Sequence, residues 1–129
     1  MAQDFRDLIV WQRAMELTVC IYKPTGRFPK EELYGLTSQM RRASISVASN
    51  IAEGRGRLNP GEFRQFLGLA QGFLFELKTQ LMVARKLEMT NCGALDEAQA
   101  LSDQVSKMLS YFIQTLRPRK VKPELRAEG

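Results

Sequence analysis

No histidine occurs among the 129 residues of this chain. That absence removes the commonest general acid/base, His-based triads, His-ligated metals and the usual near-neutral pH switch. It also removes the paired Glu-x-x-His motifs with which four-helix bundles hold two metal ions. The two cysteines, Cys20 and Cys92, stand in different predicted segments. They make neither a disulfide framework nor a CxxC metal pair, and both are expected to be reduced, small core residues. No apolar run approaches the roughly 18 uncharged residues that a membrane span requires, so no membrane partner is expected. The N-terminal stretch Asp4-Phe5-Arg6-Asp7 carries two acids and lacks the basic-then-apolar order of a secretory signal, so a cytoplasmic location is expected. No P-loop, GxGxxG or GxSxG is present, and no run alternates in the manner of a half-buried strand. Neither a metal, a cofactor nor an enzymatic activity is expected.

What the chain does contain is helical periodicity in four long segments, with 44% apolar and 26% charged residues. The first should run from about Asp7 to Tyr22, with Val10, Ala14, Leu17 and Ile21 inward and Lys23-Pro24 ending it. The second should begin at Pro29 and end near Gly54, with Leu33, Leu36, Met40, Val47 and Ile51 inward and Ser44 filling the remaining slot. The third opens on Asn59 as N-cap, Pro60 at the first position and Glu62 at the third. Its stripe is Phe63, Leu67, Ala70, Leu74, Leu77, Leu81 and Ala84, and Phe66, Phe73 and Leu87 lie off it, which calls for a second packing partner. The fourth should cover Leu95 to Leu116, with Ala98, Leu101, Val105, Met108, Phe112 and Leu116 inward and Pro118 closing it.

Short connections force sequential helices to be antiparallel neighbours. The expected fold is all-α, a single up-down-up-down antiparallel four-helix bundle over residues 1–118, followed by a flexible basic tail over 119–129. Gly54 or Gly56 should stop the second helix in the left-handed conformation. Gly68 and Gly72 lie on one face of the third, where they permit close approach of another helix, within the chain or between subunits.

Lys and Arg outnumber Asp and Glu by 19 to 14, a net charge of +5. The excess leans toward acidic partners such as nucleic acid. Arg41, Ile45, Ala48, Ala52 and Arg55 line one flank of the second helix, beside a polar stripe of Gln39, Arg42, Ser46, Ser49 and Glu53. Such a stripe is either a solvated face or a phosphate-binding one, since arginine presents a rigid fork of donors to phosphate oxygens. Arg55 and Arg57 past the helix end could extend it, as could Arg117, Arg119, Lys120 and Lys122 in the tail. Trp11, Tyr22, Tyr34 and Tyr111 are able to stack on bases, although aromatics at helical spacing more often serve a core. Glu53 and Glu76 are the carboxylates best placed to face other helices, and catalysis would need them to converge in a polar pocket.

Several blocks carry a family resemblance: Phe5-Arg6-Asp7-Leu8 with Val10-Trp11, Phe28-Pro29-Lys30-Glu31 with Tyr34-Gly35-Leu36-Thr37, Gln39-Met40-Arg41-Arg42-Ala43, and Asn50-Ile51-Ala52-Glu53-Gly54. They resemble the four-helix bundle proteins also called 23S ribosomal RNA intervening-sequence proteins, a name that records where some of the genes lie. A related branch comprises accessory proteins of diversity-generating retroelements. The resemblance implies a ring-shaped homopentamer in the cytosol with basic surfaces for RNA or DNA, or for a protein partner such as a reverse transcriptase. It places Arg41, Arg42, Asn50, Glu53, Gly54 and Arg57 on the family's central motif, serving packing or binding. In the third helix Ala70, Gly72 and Glu76 match the family pattern, and Phe73 replaces its serine, making the local surface more apolar. Two readings follow: a non-enzymatic nucleic-acid-binding oligomer, or a homo-oligomeric scaffold that binds a protein instead.

Overall fold

The computed structural model describes residues 4–118, apart from the side chain of Cys92. The expected basic tail at Arg119, Lys120 and Lys122 therefore lies outside the described residues. Four α-helices carry the fold: α1 (Ile9–Thr25), α2 (Ser38–Arg55), α3 (Pro60–Lys86) and α4 (Asp96–Thr115). No strand occurs among the described residues. Each helix packs on its sequence neighbour and α4 closes back onto α1, an up-down-up-down bundle with the most extensive contact between α2 and α3. At the helical rise of about 1.5 Å per residue, α1, α2 and α4, of 17, 18 and 20 residues, are about 25–30 Å long and α3, of 27 residues, about 40 Å.

The core is one apolar cluster to which every helix contributes. Leu17 and Ile21 of α1, Met40, Val47 and Ile51 of α2, and Leu67, Leu74, Leu77 and Leu81 of α3 have no exposed surface. Val105 and Leu109 of α4 are equally buried. The stripe expected for α3 is buried in full, and its start is as expected: Asn59 Oδ1 accepts from the Glu62 N–H at 2.8 Å, behind Pro60 in the first turn.

Four expectations need correction. Pro24 does not end α1 but sits inside its last turn, where Thr25 Oγ1 donates to the Ile21 carbonyl at 2.6 Å. The N–H that proline lacks would have bonded the Cys20 carbonyl, so the last turn gives up one backbone bond while the Thr25 hydroxyl adds one to the next carbonyl. The second helix is not continuous from Pro29. A 3-10 turn (Lys30–Glu32) and a wide turn (Leu33–Thr37) precede α2, with Gly35 out of helical geometry at φ −108° and ψ −114°. The Glu32 carboxylate accepts the Leu36 N–H at 3.2 Å across this break, and Leu33, expected inward, is 49% exposed.

The centre of the α4 stripe is also shifted. Ala98 and Val105 are inward as expected, but Ser102 and Leu109 are the other two fully buried residues, and Leu101, Met108, Phe112 and Leu116 are half-buried. Finally, neither Gly54 nor Gly56 is left-handed. Gly56 is right-handed at φ −78°, and the positive φ among the described residues belongs to Glu88 after α3, at 51°. There the Met89 N–H reaches back to the Ala84 carbonyl at 3.0 Å, the closing bond of a Schellman motif.

Candidate nucleic-acid interface

The alternating direction of the helices sorts the arginines into two groups. The ends of α2 and α4 and the starts of α1 and α3 share one pole of the bundle; the end of α1 and the start of α2 lie at the other. Arg41 and Arg42 open α2, and Arg55 and Arg57 close it. Arg55 lies fourteen positions after Arg41, about 20 Å at helical rise, so one compact phosphate cannot bridge the two groups.

At the pole where α2 ends, Arg55 and Arg57 line a concavity of about 350 Å³ with Leu8, Asn59, Phe63 and Leu116. No acidic side chain lines it. The Arg57 guanidinium lies 4.5 Å from the centre of the Phe66 ring and that of Arg55 5.8 Å from Phe63, so both cations are held over aromatic faces. Arg117, exposed, directly follows Leu116 of the same concavity. Gly54 is what allows this end to close. A Cβ there would lie 2.7 Å from Phe66 Cβ and 3.0 Å from Phe63 Cδ1, so the absence of a side chain permits the close packing of α2 on α3.

At the other pole Arg41 is part of the framework. Its Nε donates to Thr25 Oγ1 at 3.0 Å, a terminal nitrogen donates to the Tyr22 carbonyl at 3.2 Å, and the guanidinium stacks 4.5 Å from the Tyr22 ring. A cation at the C-terminus of α1 also opposes the helix dipole. Arg42 is exposed, one position along. Together with Tyr22, Leu33, Tyr34, Thr37, Ser38, Ile45 and Ser46, the pair lines a concavity of about 490 Å³.

The remaining expected residues divide between framework and open surface. The Asn50 amide donates to the Ser46 carbonyl at 2.8 Å within α2. Glu53 is exposed; Glu76 is exposed and accepts from Gln80 at 3.4 Å on its own helix. The two carboxylates share none of the described concavities. Gly68 and Gly72 face open space, with nothing within 4 Å of a built Cβ, so no helix of this chain uses their close approach. Phe73 is half-buried and packs on the chain's own core. Trp11 is half-buried edge-on against Phe5 at 5.2 Å, and Tyr34 and Tyr111 are 92% and 72% exposed.

Two surfaces are only partly anticipated by the sequence, which names the Ile45, Ala48 and Ala52 flank of α2 and calls for a second packing partner for α3 without giving either its full lining. A small apolar groove of about 280 Å³ runs between α1 and α2, lined by Trp11, Met15, Thr18, Ile45, Ala48, Ser49 and Ala52. The outer side of α3 exposes Leu69, Phe75 and Met82 near the two open glycines. Methionine at 15 and 82 off the core stripes was the available signal. Cys20 is half-buried rather than in the core, and burial, aided by the Glu97 carboxylate, pushes its thiol up to about 11. Among the described residues no three His, Cys, Asp or Glu side chains gather as a metal cluster, and no helix is long and apolar enough to cross a membrane.

Fold and surface together define an all-α bundle with a basic patch at each pole. The chain belongs to the 23S rRNA-intervening sequence protein family, whose model matches residues 6–111. It is similar in fold to the crystal structure of a protein with unknown function from the S23 ribosomal protein family of Bacteroides thetaiotaomicron VPI-5482. The TM-score is 0.74 at 20% identity, over 82% of this chain and 99% of that one. At that identity the likeness speaks for the fold alone. No curated protein sequence matches the chain.

Proposed function

We propose that this chain is a non-enzymatic accessory protein that binds RNA or DNA through its basic poles, without strong sequence specificity. The observation that carries the reading is the pole formed by Arg55, Arg57 and Arg117. Two arginines line an acid-free concavity, each over a phenylalanine ring, and the exposed Arg117 directly follows a third lining residue, Leu116. Ordering a guanidinium in advance lowers the entropy lost when it meets a phosphate oxygen. The net charge of +5 adds a long-range attraction to polyanions.

A second reading, self-assembly with docking of a protein partner, is favoured by the open side of α3. Gly68 and Gly72 leave its backbone bare beside exposed Leu69 and Phe75, a face on which another helix can approach closely. A ring of five copies fits this reading and is compatible with the first.

The test is binding of generic RNA to the full chain and to a variant carrying Arg55→Gln, Arg57→Gln and Arg117→Gln, with mass in solution recorded throughout. Loss of phosphate contacts should weaken binding by about tenfold or more at low salt while the mass stays unchanged. Equal binding by both proteins removes that pole from the interface. Absence of any binding by the parent, with a mass several times that of one chain, transfers the conclusion to the second reading.

A further inference from the structure

The concavity at the opposite pole differs in kind from the arginine cluster, because it combines cations with an aromatic side chain that nothing covers. Tyr34 is 92% exposed, in a chain whose other aromatic rings mostly pack on something. It is held there by the interruption at Gly35. The Glu32 carboxylate takes the Leu36 N–H, and a Cβ on residue 35 would come within 3.0 Å of that carboxylate oxygen. A continuous helix from Pro29 would have turned this segment differently. The break therefore presents Tyr34 at the rim of a concavity of about 490 Å³.

The other lining groups suit one class of ligand. Arg42 is exposed and makes no ion pair among the described residues, and Arg41 is fixed over Tyr22 with guanidinium donors to spare. The hydroxyls of Ser38 and Ser46 offer both donor and acceptor at the wall, and Leu33 and Ile45 supply apolar floor. No carboxylate lines the concavity. Its volume lies in the range of about 300–1,000 Å³ that holds small ligands or one residue of a polymer. An aromatic face beside arginines, with hydroxyls and no acid, matches a nucleobase and its phosphate better than it matches a helix, which would need a longer apolar stripe.

We infer that this concavity takes one unpaired nucleotide of a single-stranded nucleic acid, with the base on the Tyr34 ring and a phosphate at Arg42. The inference rests on the nucleic-acid reading above and sharpens it, since a base inside a duplex has no free face to offer Tyr34. Basic poles alone would not distinguish the two forms.

The test compares a short labelled oligouridylate with an RNA duplex of the same length, by fluorescence anisotropy on the full chain. Variants are Tyr34→Ala, Tyr34→Trp and Arg42→Gln, and mass in solution is recorded for each. Tyr34→Ala should weaken the single strand by about tenfold and leave the duplex unchanged, because stacking contributes to one and not the other. Tyr34→Trp should restore the affinity, and Arg42→Gln should reduce the salt slope by about one phosphate. Unaltered single-strand affinity in Tyr34→Ala, with both nucleic acids bound by the parent, overturns this inference and leaves the basic-pole reading standing. No binding of either nucleic acid by the parent overturns both. A fall in mass without a fall in affinity makes the patch a subunit contact and likewise overturns it.

Discussion

Gly54 is the residue on which the α2–α3 contact depends, and its role is steric. Any Cβ there would meet the Cβ of Phe66 at 2.7 Å and the Phe63 carbonyl at 3.2 Å, neither of which is the free end of a flexible side chain. Gly54→Ala should therefore destabilise the chain by about 1–3 kcal/mol, read as a lower urea midpoint with little change in slope. A midpoint equal to that of the parent would contradict the packing role. The left-handed position expected at the end of α2 is not formed there; the positive φ among the described residues is at Glu88, after α3. Local sequence favours glycine for such a turn, but the close approach of two helices is a tertiary fact that no spacing along one segment encodes. Arg41 teaches the same lesson. On the helix surface it pairs naturally with Arg42 as a charged stripe, yet its guanidinium reaches across sixteen positions to Thr25 and stacks on Tyr22. Its neighbour is left as the freer cation.

Elements with strong terminal signals were legible from sequence, and those shaped by wide apolar arcs were less so. Asn59, Pro60 and Glu62 fixed the start of α3 because capping chemistry is local. In α4, Leu101, Val105, Met108, Leu109, Phe112 and Ile113 cover so broad an arc that periodicity defines a face but not its centre. Ser102 becomes central because it is small and its hydroxyl is satisfied by the Gln99 carbonyl at 2.8 Å. Ser44 of α2 is buried by the same device, bonding the Arg41 carbonyl at 2.9 Å, and there the expectation of a small residue in a core slot held. The shifted centre has a measurable consequence. Leu109→Ala should cost about 2–5 kcal/mol, whereas half-buried Leu101→Ala should cost about 1 kcal/mol. Equal losses, or the reverse order, would restore the stripe expected from periodicity. The break at Gly35 escaped notice because it depends on the Glu32 carboxylate bonding a backbone N–H one turn ahead, which a continuous helical pattern does not signal.

For the whole molecule, antiparallel order turns one arginine-bearing helix into two basic poles about 20 Å apart, with an apolar groove between α1 and α2 along the flank that joins them. One pole holds arginines over phenylalanine rings around Phe63, and the other joins Arg42 to the uncovered Tyr34. A polyanion that followed the flank could touch both, so binding should involve several phosphates at once. Counterion release then gives a direct measure of how many are neutralised. The deciding measurement is the affinity of the full chain for generic single-stranded RNA across a range of salt concentrations. A slope of log K against log salt of about −3 to −5 is the predicted result, matching contacts from both poles. A slope near zero, or no binding at the lowest salt, would contradict a phosphate-binding surface and make the exposed faces of α1, α2 and α3 contacts for protein instead.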